Sequence, residues 1–160
     1  MVGPRERRGA QVAGWCAMIK RFVLRFDAKR EAMRAAFRAK RPDGYEDIVR
    51  SVVEALQDDD DYRDCPDPSR IHRIDDGDYQ GTLFFAIGAT GYQPFTYFCV
   101  LVAYGSCSGC DAFQDIRGYG DEPPTEDEVS GYMNLALGIV QRMKMISLYS
   151  EEENGTGGAA

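Results

Sequence analysis

Histidine and long apolar runs are the scarcest features of this chain. Its 160 residues include one histidine, His72, and no run approaching the ~18 consecutive apolar residues that indicate a membrane span. A catalytic Cys–His pair would therefore depend on His72 alone. The N-terminus has arginines but lacks an apolar segment of the length that a secretory signal needs. These absences predict a cytoplasmic protein with no membrane partner.

The five cysteines do not fit the pattern of a secreted, disulfide-bonded protein. Their number is odd, and the chain shows no export signal, so we expect reduced thiols. Only one pair has the C-x-x-C spacing, and a structural zinc site built from two such pairs is therefore excluded.

Acidic residues exceed basic ones, but the excess is unevenly distributed. Residues 1–41 hold 12 Lys or Arg against 3 Asp or Glu, whereas residues 42–160 hold 7 against 23, and the net charge is −7. A basic segment of this kind can attract nucleic acid or an acidic protein, or it can pair with the acidic half of its own chain. The sequence leaves these alternatives open and does not favour nucleic acid.

The chain length and composition predict one domain. We expect a disordered basic extension at residues 1–13, a single α+β domain at 14–149 and a disordered tail at 150–160. The sequence does not decide whether translation starts at Met1 or at Met18.

Helical periodicity marks the N-terminal third. Apolar residues recur at separations of three and four from Trp15 to Lys40, and again from Tyr45 to Gln57. Pro42 and Gly44 break the pattern between them. The acidic run at residues 58–64, followed by Pro66 and Pro68, predicts an exposed connection.

The middle of the chain is richer in aromatic and β-branched residues. Thr82–Ile87 and Thr96–Tyr104 are predicted as the strands of a hairpin. The second is apolar on both alternating sets, which predicts an interior strand covered on both faces. Ala112–Ile116 fits a third strand or a short helix. A capping box at Thr125 and Glu128 predicts the start of a C-terminal helix.

Together these elements predict an α+β fold. It would contain two N-terminal helices, a small antiparallel sheet made of a hairpin with a possible third strand, and one C-terminal helix packed on the sheet.

The segment Tyr104–Asp111, with the sequence YGSCSGCD, contains the C-x-x-C pair Cys107 and Cys110. Three interpretations remain open for it. The two cysteines can bind zinc together with Cys65 and His72, they can exchange thiol and disulfide, or they can shape a turn in which Asp111 caps backbone amides. The turn interpretation requires no cofactor, and we favour it; zinc is the alternative.

Several motifs together resemble a family of small uncharacterised phage and prophage proteins. They are Asp78-Tyr79-Gln80-Gly81-Thr82-Leu83, Tyr92-Gln93-Pro94, the YGSCSGCD segment and Leu135-Ala136-Leu137. The resemblance covers roughly Phe22 to Met145. This chain differs in its arginine-rich extension before Met18 and in Ala112-Phe113, where the family has threonine-leucine. The resemblance implies a phage-encoded accessory protein in the cytoplasm of the host bacterial cell.

An accessory protein of this size is expected to act without catalysis, by binding or inhibiting a host factor, and its partner is expected to be a host or phage protein. Loops at strand ends are the usual contact surfaces. We therefore predict binding residues in two loops: Asp78, Tyr79, Gln80, Gly81, Tyr104, Ser106 and Asp111. The alternatives are a metal or thiol function of Cys107 and Cys110, and nucleic-acid binding through the basic helix face between Lys20 and Arg38.

Overall fold

The computed structural model describes residues 4–58, 60, 65–117 and 122–148. Five helices and four strands lie in these ranges. They are α1 (Pro4–Ala28), α2 (Arg30–Ala39), α3 (Tyr45–Ala55), β1 (Pro66–Asp75), β2 (Gly81–Ala89), β3 (Thr96–Tyr104), α4 (Ala112–Ile116), α5 (Glu126–Arg142) and β4 (Lys144–Ser147). The predicted α+β class is confirmed. None of the helices in these ranges has a stretch long and apolar enough to cross a membrane.

The sheet is an antiparallel meander in the order β1-β2-β3-β4. Its inner face is buried under α1, α3 and α5 and carries Leu83, Phe85, Ile87, Phe98, Val100 and Val102. Strand β3 is an interior strand, as its apolar sequence predicts. Its other face, however, carries the exposed Leu101, so the expectation that both faces of β3 are covered is not met in the described residues.

The N-terminal helical region differs from the prediction in two places. The helix expected from Trp15 to Lys40 is interrupted at Lys29, whose ψ angle of 4° ends α1 before α2 begins. The break separates two sets of buried residues: Phe22 of α1 contacts Phe98 of β3, while Phe37 of α2 contacts Tyr132 of α5. Helix α1 extends back to Pro4, through the segment predicted to be disordered, because proline is favourable at the first helical position.

Two strands were not predicted. Strand β1 begins at Pro66, in the predicted connection, and lies at the edge of the sheet, where a missing backbone N–H is tolerated. Its register with β2 is irregular between Pro66 and Ile71. Strand β4 has four residues, all exposed, and therefore no alternation that a sequence pattern could detect.

The C-terminal prediction holds. The Thr125 side chain accepts the backbone N–H of Glu128, and the Glu128 carboxylate accepts that of Thr125, which confirms the capping box of α5. The segment Ala112–Ile116, predicted as either a strand or a short helix, forms the short helix α4, which Asp111 caps. The predicted tail at 150–160 lies outside the described residues.

Candidate functional site

Two of the predicted binding segments meet at one end of the sheet. Gly81 at the start of β2 pairs with Tyr104 at the end of β3, so the turn at residues 76–80 lies beside the loop at 105–111. The Tyr104 hydroxyl donates to the Asp75 carboxylate at 2.7 Å. This bond lowers the pKa of Asp75 and raises the pKa of Tyr104 to about 12. We call this region the sheet-end surface.

The turn at 76–80 is tightly constrained. Asp76 Oδ1 accepts the backbone N–H of Thr82 at 2.6 Å, and Asp75 Oδ1 accepts that of Gly77 at 3.2 Å. A Cβ added at Gly77 would collide with the carbonyl oxygen of Gln80, so only glycine fits there. The predicted contact residues Asp78, Tyr79 and Gln80 are all exposed on this turn.

Asp111 occupies a different environment from the other predicted contact residues, because it is buried. Its Oδ1 accepts the Tyr45 hydroxyl at 2.8 Å and the N–H of Phe113 at 2.9 Å, while its Oδ2 accepts the N–H of Gly105 at 3.2 Å. Burial, followed by the bond to Asp111, raises the pKa of Tyr45 to about 12. Asp111 therefore holds α3, α4 and the cysteine loop together from inside the protein.

The cysteine pair forms a closed turn on the surface. The Sγ atoms of Cys107 and Cys110 lie 2.8 Å apart, and both side chains are exposed, as is Ser106. The Cys107 side chain hydrogen-bonds to the Cys110 thiol and lowers its pKa below the usual range. A Cβ at Gly105 would lie 2.5 Å from Cys110 Sγ, so this loop also requires glycine.

The four predicted zinc ligands do not come together. Cys65 is buried directly before β1, where its sulfur accepts a hydrogen bond from Arg25. That strand end pairs with Ala89, at the opposite end of the sheet from Cys107 and Cys110. His72 lies opposite Ala86, about five residues or ~16 Å along the strands from the Gly81–Tyr104 pair. No group of three or more His, Cys, Asp or Glu is arranged to hold a metal in the described parts of the chain.

A cleft of about 620 Å³ adjoins the sheet-end surface on the helix side. Among its lining residues are Tyr45, Tyr104 and Asp111, together with three arginines that the sequence did not mark as functional: Arg41, Arg73 and Arg117. Arg41 donates to Glu128 at 3.0 Å, and Arg73 lies 3.9 Å from Glu46. Asp43 and Asp75 also line the cleft, so its walls carry charges of both signs.

Three basic residues of the N-terminal helices contact the acidic half of the chain. Arg34 and Arg38 bind Glu126 at the start of α5, at 3.0 and 2.5 Å. Arg25 binds Asp58 at 2.8 Å. The two arginines hold the pKa of Glu126 at about 2. Three arginines of the basic face proposed for nucleic acid are therefore engaged in intramolecular ion pairs.

Comparisons with protein-family models, with curated proteins and with solved structures gave no match to this chain.

Proposed function

We propose that this chain is a phage-encoded accessory protein that acts by binding a protein of the host or of the phage, and not by catalysis. One observation carries the proposal. The turn at 76–80 and the loop at 105–111 lie side by side at one end of the sheet, next to a cleft of about 620 Å³. Exposed loops supported by a rigid sheet are suited to recognition.

The chemistry of this region suits a protein partner. Tyr79 is 83% exposed at the tip of a turn that Gly77 and Asp76 constrain, so it can be buried by a partner with little loss of backbone entropy. Tyrosine and arginine contribute most to binding energy at protein interfaces, and the cleft adds Arg73 and Arg117. The mixed charges of the cleft favour a polar segment of the partner that carries both an acidic group and hydrogen-bond donors.

The test compares two exposed tyrosines at opposite ends of the sheet. Tyr92, in the connection between β2 and β3, is 90% exposed and serves as the matched control for Tyr79. Affinity capture from host lysate identifies the partner, which is then purified for titration. We expect Tyr79→Ser to weaken binding by ~10-fold or more and Tyr92→Ser to leave it unchanged. Equal affinities of both variants and the unmodified protein would contradict the proposal.

A second candidate function is thiol–disulfide exchange by Cys107 and Cys110, because their exposed sulfurs lie 2.8 Å apart. In such a step the two thiols lose two protons and two electrons, and glutathione disulfide is reduced to two glutathione molecules. We expect equilibration in glutathione buffers to give a reversible Cys107–Cys110 disulfide. The exposed Cys16 serves as the control for an isolated thiol under the same conditions. Two thiols that stay free under excess glutathione disulfide would remove this candidate.

A further inference from the structure

The face of the sheet that points away from the helices carries large apolar side chains at its centre. Ile74, Phe84 and Leu101 pair across β1, β2 and β3 and form one continuous row of large side chains. Leu101 is 57% exposed, and Ile74 is also exposed. Antiparallel sheets with one solvated face normally carry polar side chains there. We call this surface the outer face and this row the ridge row.

A row with small side chains at its centre runs beside the ridge row. Two residues further along the strands, His72, Ala86, Cys99 and Lys144 pair across all four strands. Ala86 and Cys99 occupy its centre, so the surface is lower there than at the ridge row, which lies about 7 Å away. We call this second row the groove row.

Two further rows lie beyond the ridge row and the groove row, one on each side. Past the groove row, Tyr97 pairs with Ile146, and both side chains are large, whereas the other partner of Tyr97, Gly88 of β2, has no side chain. Past the ridge row, Thr82 pairs with Ala103, which are small. Along β3 the order is therefore small, large, small, large, and along β2 it is small, large, small, with Gly88 at the fourth position.

This order is self-complementary under a two-fold rotation. An axis that lies in the interface, parallel to the rows and midway between ridge and groove, sets the large side chains of β2 and β3 (Phe84, Leu101 and Tyr97) against the small ones of the second copy (Ala86, Cys99 and Ala103). Both sheets then interlock as two aligned layers, and the contact is isologous. We infer that the outer face binds the outer face of a second copy of this chain.

Charge and area agree with this occupant. Lys144, at one end of the groove row, is the one charged side chain of the ridge and groove rows at pH 7, and neither row contains an acidic residue. A chain with a net charge of −7 can therefore approach its own copy at this face without bringing carboxylates together. About eight residues per strand across four strands give a footprint of ~500 Å². Two copies would bury on the order of 1,000–1,400 Å², the size of a small specific interface.

This inference is independent of the proposed function, because the sheet-end cleft lies on the helix side of the sheet. The test is the molar mass in solution, measured by light scattering and by sedimentation at high micromolar concentration. Leu24, on α1, is 61% exposed and is the matched control for Leu101. We expect twice the chain mass for the unmodified protein and for Leu24→Lys. Leu101→Lys should weaken the dimer at least ~100-fold, since each interface contains two copies of the change.

A second variant acts by shape instead of charge. Ala86→Phe fills the groove row and should also yield a single-chain mass, with the far-ultraviolet circular dichroism of the folded protein. Two results would overturn the inference. One is a single-chain mass for the unmodified protein at high concentration, which would assign the outer face to a different partner. The other is a dimer that persists in both Leu101→Lys and Ala86→Phe.

Discussion

Replacement of Asp111 by alanine tests how the candidate site is held in place. The carboxylate is buried and accepts the Tyr45 hydroxyl and the backbone N–H groups of Gly105, Phe113 and Gln114. Alanine leaves these donors without their acceptor, and an unsatisfied buried donor costs roughly 1–3 kcal/mol. The Phe113 N–H retains a contact with the Tyr45 hydroxyl at 3.1 Å, which offsets part of the loss. We expect Asp111→Ala to lower the free energy of unfolding by about 3–5 kcal/mol.

Two further variants separate the hydrogen bonds from the volume of the side chain. Asp111→Asn keeps the shape and one acceptor oxygen and should cost about 1–2 kcal/mol. Tyr45→Phe removes one donor and should cost about 1 kcal/mol. In the double variant Tyr45→Phe, Asp111→Ala the two losses should not add, with a coupling energy of about 1–2 kcal/mol.

Urea unfolding followed by circular dichroism gives these free energies. The single tryptophan provides an independent probe, because Trp15 donates to the carbonyl of Met143 at 2.9 Å, in a region that Asp111 does not contact. Coincident transitions from both probes would support a two-state analysis. A loss below about 1 kcal/mol for Asp111→Ala, or no coupling with Tyr45→Phe, would refute the assignment of Asp111 as the central acceptor.

Three further predictions concern individual residues. The folded pKa of Glu126 is about 2 and lies below its ordinary value of 4.5. The stabilising contribution of the Glu126 carboxylate is therefore complete above pH 4.5 and disappears as the pH falls to 2. Glu126→Gln should therefore lower the melting temperature at pH 7 but not at pH 2. The pKa of Tyr45 is raised to about 12, so the stabilising contribution of its hydroxyl is lost as the pH rises from about 10 to 12. In Tyr45→Phe, the free energy of unfolding should therefore fall less over this pH range. Gly105→Ala should displace Cys110 and cost about 1–3 kcal/mol in urea unfolding; an unchanged midpoint would contradict the close contact.

The elements with local signals could be predicted from the sequence. The capping box at Thr125 fixed the start of α5, and the apolar residues of Thr96–Tyr104 gave the bounds of β3. Strand β1 could not be found in this way. Its prolines indicate a loop by local rules, and only its position at the sheet edge makes them compatible with a strand.

The candidate site was predictable in part. The sequence analysis predicted both loops as contact segments, and the hairpin pairing of β2 and β3 brings the end of β3 beside the turn before β2. Asp111 was correctly expected to cap backbone amides; it was also predicted as a contact residue, and it is buried in the wall of the cleft. No sequence pattern marked the three arginines of the cleft as functional. Arg41, Arg73 and Arg117 are distant in sequence, and only tertiary packing brings them together.

The measurement that tests the central claim most directly is amide hydrogen exchange of the protein, alone and bound to the partner captured from host lysate. Binding through the sheet-end surface predicts new protection at residues 76–81 and 104–111, and none in the connection around Tyr92 at the other end of the sheet. Protection confined to that connection or to the N-terminal helices, with exchange at 76–81 and 104–111 unchanged, would contradict the proposed function.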